Sequence, residues 1–255
     1  MIRKVLSAFA AFLFLHAIHA QENYNLVVRS NLRFPGSSLA NIGGYADSSG
    51  NEYALVGTSK GLSIVNVTNP EQPFIRFNVN GVQNAWREVK TWNGFAYVTS
   101  EGANSGLTII DMRELPDTII TKVYRGDGAI NNQLSSNHAL HIADGFCYLY
   151  GSNAFAPPNL NNGGVIALNL QDPWNPKYAG KYDGKYVHDG FVQNDTVWAC
   201  NVYDGFFTPI DFRDKTKPLA LAQQETPGGV THNSWLTDDA RTLLVTDEST
   251  NSYLT

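Results

Sequence analysis

Gly61-Leu-Ser-Ile-Val-Asn-Val-Thr-Asn-Pro70 is a glycine, a mostly β-branched run, an asparagine and a closing proline. The phrase returns as Gly106-Leu-Thr-Ile-Ile-Asp-Met-Arg-Glu-Leu-Pro116 and Gly164-Val-Ile-Ala-Leu-Asn-Leu-Gln-Asp-Pro173. A degraded copy reads Gly205-Phe-Phe-Thr-Pro-Ile-Asp211, and the successive glycines stand 45, 58 and 41 residues apart. β-Branched residues suit a pleated surface, while Gly and Pro stop the ladder where the chain must turn. Short strands recurring with a period in the forties predict an all-β chain, a β-propeller of four-stranded antiparallel blades. A blade packs between two neighbours, so its strands are apolar on both faces. A β-sandwich needs no fourfold repetition, and β-helix turns are shorter.

Each repeat parses further. Asn93-Gly94 predicts a hairpin turn between strands at 88–92 and 95–99, followed by strands at 107–111 and 119–124. In the next repeat Asp144-Gly145 joins 139–142 to 146–150, with 165–169 and 178–182 completing the four. The first repeat offers 53–56, 62–66 and 74–79. Pro209 falls inside the third strand of the fourth repeat, where a bulge or local distortion is expected. Nothing after the N-terminal segment holds a helical apolar period. The long loop Gly151–Gly163, with Pro157-Pro158, is an expected surface excursion and a candidate adhesive element.

Residues 1–20 read as a signal peptide: Arg3 and Lys4, the apolar run Val5–Leu15, and Ala20 ahead of a cut before Gln21. Residues 21–38 form an N-terminal segment in which 25–29 is a candidate closing strand, and 39–255 holds the propeller repeats. The chain stops just after a strand, so four blades and part of a fifth are expected, with the remainder missing. The export reading places the protein outside the cell or on its surface. The net charge of −5 becomes more negative once Arg3 and Lys4 are removed, and no basic run occurs. That excludes nucleic acid and anionic membrane surfaces as partners by charge, and no later stretch is apolar enough to be a transmembrane segment. Cys147 and Cys200 lie in strand-like runs of neighbouring repeats; buried thiols are the first reading, and a disulfide is open to an exported chain.

The residues able to carry chemistry cluster at one place in the repeat. Of the histidines outside the N-terminal segment, His138, His188 and His232 align at the start of the first strand of successive repeats, 50 and 44 residues apart. Arg87 takes the corresponding place in the second repeat, and Glu88, Asp189 and Asn233 stand beside the aligned positions. First strands of a propeller line its central channel, so these side chains are expected to converge on the channel mouth as a ligand-binding site. His141 should face away from His138. Three readings of the ring are open. His138, His188 and His232 could hold a divalent metal with Asp189 or Glu88, the ring could bind an anionic or carbohydrate ligand, or the histidines could serve the fold alone. There is no nucleophile elbow, zinc-protease helix, phosphate loop or calcium loop.

The phrases Leu62-Ser-Ile-Val-Asn66 and Leu107-Thr-Ile-Ile-Asp111 resemble the LVIVD-repeat proteins, in particular the exported bacterial choice-of-anchor B family. Trp86-Arg-Glu-Val-Lys90, Ser136-Asn-His138, Val187-His-Asp189 and His232-Asn-Ser-Trp235 resemble that family's blade-start motifs, and the likeness covers roughly residues 39 to 255. The first repeat departs from it, with Ile42-Gly-Gly-Tyr45 where family members tend to carry a tryptophan before the second glycine. The resemblance implies a secreted or cell-surface β-propeller with an anchor on a C-terminal tail, and it implies no established activity. Together these readings predict a binding module with an extracellular protein or glycan partner, no resident cofactor beyond a candidate divalent metal, and no catalytic residues. A lyase or hydrolase using the histidine ring as general acid and base is the alternative.

Overall fold

The computed structural model describes residues 26–154, 162–252 and 254–255. The chain divides into two units, Met1–Asn31 and Leu32–Thr255. In the first, residues 26–31 carry neither helix nor strand, so 26–29 do not form the candidate closing strand; the signal-peptide segment, residues 21–25 and residues 155–161 of the long loop lie outside the described residues.

The second unit is a succession of antiparallel sheets. The first sheet holds β1 (Leu39–Ala46), β2 (Glu52–Thr58), β3 (Gly61–Asn66) and β4 (Phe74–Asn80) in sequence order. The second repeats that order with β5 (Val89–Trp92), β6 (Phe95–Val98), β7 (Leu107–Asp111) and β8 (Ile120–Tyr124). The third is built from β9 (Ala139–Ala143), β10 (Phe146–Tyr150), β11 (Val165–Asn169) and β12 (Lys177–Tyr182). In the fourth, β13 (Asp189–Gln193), β14 (Thr196–Asn201) and β15 (Phe206–Asp211) are followed by two short outer pieces, β16 (Leu219–Ala220) and β17 (Gln224–Glu225). A two-stranded sheet of β18 (Thr231–Leu236) and β19 (Leu243–Asp247) follows. The expected strands form within a residue or two, and β1 is added to the first repeat. The one helical piece among the described residues is a single 3₁₀ turn, Gly128–Ile130.

The hairpins form as their turn residues demand. Asn93 and Gly94 have φ of 47° and 81°, and Asp144 and Gly145 have 51° and 77°. Two consecutive positive φ angles are what a tight hairpin needs to match the twist of its strands.

Packing between sheets follows strand parity. In β6, Phe95 and Tyr97 join a buried cluster with Leu140, Cys147 and Leu149 of the third sheet, while Ala96 and Val98 join Leu55 and Ile64 of the first. In β10, Tyr148 and Tyr150 turn the other way and pack with Val197 and Ile210 of the fourth sheet. Each middle sheet thus buries both faces, which is why its strands read as continuous apolar runs. Cys147 and Cys200 are both buried free thiols; burial pushes Cys200 up to about 12 and Cys147 higher.

The distortion expected at Pro209 appears one strand further out. Pro209 sits opposite Trp198 in an unbroken β14–β15 register. Its carbonyl accepts from Leu221 N at 2.9 Å, so its backbone polar edge faces the outer strand. The missing N–H falls on that same edge, and it is there that pairing is split between β16 and β17.

First strands lie next to one another in turn: β1 by β5, β5 by β9, β9 by β13, and β13 by β18. Side chains stitch these seams. Thr99 Oγ1 donates to His138 O at 2.9 Å, and Ser234 Oγ donates to Trp198 O at 2.7 Å.

Candidate functional site

His138 and His188 are each held at the entry to a first strand by one ladder bond beyond it, and His232 lies within β18 at an irregularity of its register. His138 N donates to Tyr150 O at 3.0 Å, and His188 N donates to Cys200 O at 2.8 Å. Because the seams set neighbouring first strands side by side, the imidazoles meet. The ring centroids of His138 and His188 are 4.0 Å apart, and those of His188 and His232 are 4.7 Å apart. The three rings form one wall of a cavity of about 470 Å³. His141 points elsewhere, as its spacing requires, and packs 4.9 Å from Phe191 and 6.4 Å from Trp235.

Each ring has a different polar environment. His138 Nδ1 lies 2.7 Å from Glu101 Oε1. A carboxylate only accepts, so Nδ1 carries the proton, and in the neutral tautomer the basic nitrogen is Nε2. His188 Nδ1 is 3.3 Å from the Tyr186 hydroxyl, while its Nε2 is buried without a partner among the described residues. Burial, aided by the neighbouring His138 and His232, holds His188 down to about 3 and hence neutral. His232 Nε2 faces Glu248 Oε2 at 3.6 Å.

The residues flanking the ring do other work. Glu88 Oε2 accepts from Leu140 N at 2.8 Å and Oε1 pairs with Lys90. Asp189 accepts from Gly190 N at 2.7 Å and from the Asn233 amide; burial and the charge of Glu88 raise it to about 7. Asn233 does not line the cavity and braces Asp189 instead. The carboxylates expected to accompany the histidines are therefore already engaged, and the pair that does reach the rings is Glu101 and Glu248.

Arg87 corrects the expectation of a cation in the mouth. It lines the cavity, yet its guanidinium turns aside, with Nε donating to Thr58 O at 2.7 Å and Nη2 to Val82 O. Gly81 lies close beside it: a Cβ there would stand 3.2 Å from Nη1. The first sheet contributes Ala40 and Asn41 to the lining.

Sequence reasoning missed Glu101, Glu248, Tyr186 and Tyr203. The signal for the two acids was present in the hairpin register. Ser100-Glu101 and Asp247-Glu248 follow the second strands of their sheets at the same step, opposite the entry to the first strand. Tyr203 is 69 % exposed and packs 4.8 Å from Tyr186, and Trp86, 57 % exposed, lies 6.3 Å from His138. The cavity thus has an aromatic rim above a floor of imidazoles and carboxylates.

No family model and no curated protein matches the chain. Among solved structures it is similar to a 6-phosphogluconolactonase candidate from Bacteroides uniformis, with a TM-score of 0.57 and 11 % identity over 89 % of this chain and 72 % of that one. It is also similar to a chain of a nidogen/laminin complex, with a TM-score of 0.51 and 8 % identity over 85 % of this chain and 74 % of that one. At such identities the likeness speaks for the fold alone. No helix among the described residues is long and apolar enough to cross a membrane.

Proposed function

We propose that the chain is an exported β-propeller of the LVIVD-repeat, choice-of-anchor B kind that binds the neutral end of a glycan in its histidine-lined cavity. The side-by-side first strands, the succession of four-stranded sheets and the likeness to propeller-like solved structures support the architecture. The basic and apolar run of residues 1–20 supports export, and an anchor on a C-terminal tail belongs to the same proposal.

The charge character of the cavity carries the ligand class. Its inward groups are imidazoles and carboxylates, His138, His188 and His232 with Glu101 and Glu248, while the guanidinium of Arg87 is held by backbone carbonyls. Such a floor disfavours an anion and suits hydroxyls, which both donate and accept. Trp86 and Tyr203 offer exposed faces on which a sugar ring can stack. Both features favour a carbohydrate over an anionic ligand.

Calorimetric titration with neutral oligosaccharides, and in parallel with sulfated and uronic-acid fragments, tests the reading. Neutral fragments are expected to bind, with Trp86→Ala and Tyr203→Ala each weakening them about three- to tenfold. Preference for the acidic fragments, or indifference to both substitutions, would overturn it.

Catalysis remains a second reading on one observation, the Glu101–His138 pair, which has the geometry of an oriented general base. The likeness to solved structures favours neither class. Turnover of a bound glycan that disappears in His138→Gln would convert the binding module into an enzyme.

A further inference from the structure

We infer that His188, His232 and Glu248 form a binding site for one divalent transition-metal ion on the wall of the cavity; this rests on the cavity being the functional site. One donor atom from each of the three residues lies within 4.8 Å of the other two. Two imidazoles and one carboxylate suit zinc and its first-row neighbours, whereas calcium and magnesium ask for oxygen alone.

Geometry supports the assignment in three ways. Ligand atoms around a tetrahedral zinc at its usual bond lengths stand about 3.3 Å apart. His232 Nε2 and Glu248 Oε2 are already at 3.6 Å, so the remaining closure is about an ångström and a half at most. The two movable ligands can supply it, since the side chains of His232 and Glu248 are 37 % and 57 % exposed. His188, by contrast, is fixed between two other imidazole rings, at 4.0 and 4.7 Å.

The second independent observation is the bare nitrogen. His188 Nε2 is buried with no hydrogen-bond partner among the described residues. Buried polar atoms are nearly always paired, and exceptions at a cluster of donors point to an ion or ligand. The other nitrogen of that ring faces the Tyr186 hydroxyl at 3.3 Å. Donation from Nδ1 to that oxygen leaves the Nε2 lone pair as the ring's donor to an ion, the usual outer support of a metal-bound histidine. Three protein ligands leave a coordination position open toward the cavity, beside His138 with its Glu101 partner.

The test uses the full tag-free chain, stripped with chelator and titrated with Co²⁺ followed by visible absorption, and with Zn²⁺ by calorimetry. One equivalent is expected, with the intense visible band of a low-coordinate cobalt site. Glu248→Gln, at an exposed position that leaves the fold intact, is expected to weaken binding at least tenfold with unchanged melting, and His188→Ala to abolish it. Absence of stoichiometric binding, or binding undiminished in both variants, would overturn the site. Repeating the glycan titrations with and without chelator separates the two readings. Sugar binding that survives chelation in a chain that takes up no metal removes the metal site and leaves the glycan reading standing. Metal uptake lost in both variants, in a chain that binds no sugar, keeps the site and removes the glycan reading.

Discussion

Glu101 follows β6 of the second sheet and His138 immediately precedes β9 of the third, and their side chains meet at 2.7 Å between Oε1 and Nδ1. The two side chains are 20 % and 16 % exposed, so the contact is mostly shielded from water. Charge-assisted bonds of this kind are short and stronger than neutral ones.

Removing the carboxylate should therefore be felt in stability. Glu101→Ala is expected to cost about 1–2 kcal/mol in denaturant unfolding, and Glu101→Gln less, because the amide oxygen can still accept from Nδ1. Equal losses for the two variants would show that the packing of residue 101, and not its acceptor, matters.

Arg87 is expected to behave as a clamp between the first and second sheets. Its guanidinium caps Thr58 O and Val82 O, and burial disfavours its charge. Arg87→Ala leaves two carbonyls without this donor and is expected to cost about 2–4 kcal/mol. Arg87→Lys should recover only part of that, since an ammonium lacks the planar fork. Urea titration of the three proteins checks the order.

His141 makes stability fall on the acid side. Burial against Phe191 and Trp235, with the charge of Lys90 adding to it, holds His141 down to about 4 against 6.5 for a free imidazole. The unfolded chain therefore binds a proton that the folded chain refuses. The contribution is intact above about pH 6.5, is lost progressively between about 6.5 and 4, and is level below that. The full loss is about 3 kcal/mol. His141→Phe removes this pH dependence, so wild-type stability should fall relative to that of the variant by about 3 kcal/mol as pH drops through that window. Parallel curves would show that His141 protonates freely in the fold.

Much of the architecture was legible because strand and turn chemistry is local. Asn93-Gly94 and Asp144-Gly145 need only their own φ angles to make a hairpin, and the glycine-to-proline phrase marks each third strand wherever it occurs. The proline at 209 was legible as a disturbance but not as to its place. Which edge of β15 lacks the donor depends on the direction of the Pro209 carbonyl, and that is fixed by the neighbouring strand.

The site was half legible for a related reason. His138, His188 and His232 align by repeat alone, and the structure brings them together as expected. Glu101 and Glu248 enter from loops, and their equivalence emerges only with the pairing of the first two strands of each sheet. Arg87 aligned with the histidines in sequence but not in direction. A long flexible side chain follows the nearest uncapped carbonyls, and Gly81 leaves room for it to do so.

The alternating faces of β6 and β10 bear on how such a chain can change over time. Neighbouring positions in one strand answer to different partners: Leu149 to the sheet before, Tyr148 to the sheet after. A repeat copied or exchanged as a block would carry two mismatched surfaces into its new place, whereas compensating substitutions across one seam would leave the other untouched. Substitutions in this protein are therefore tied together across a boundary between two repeats more than within one repeat.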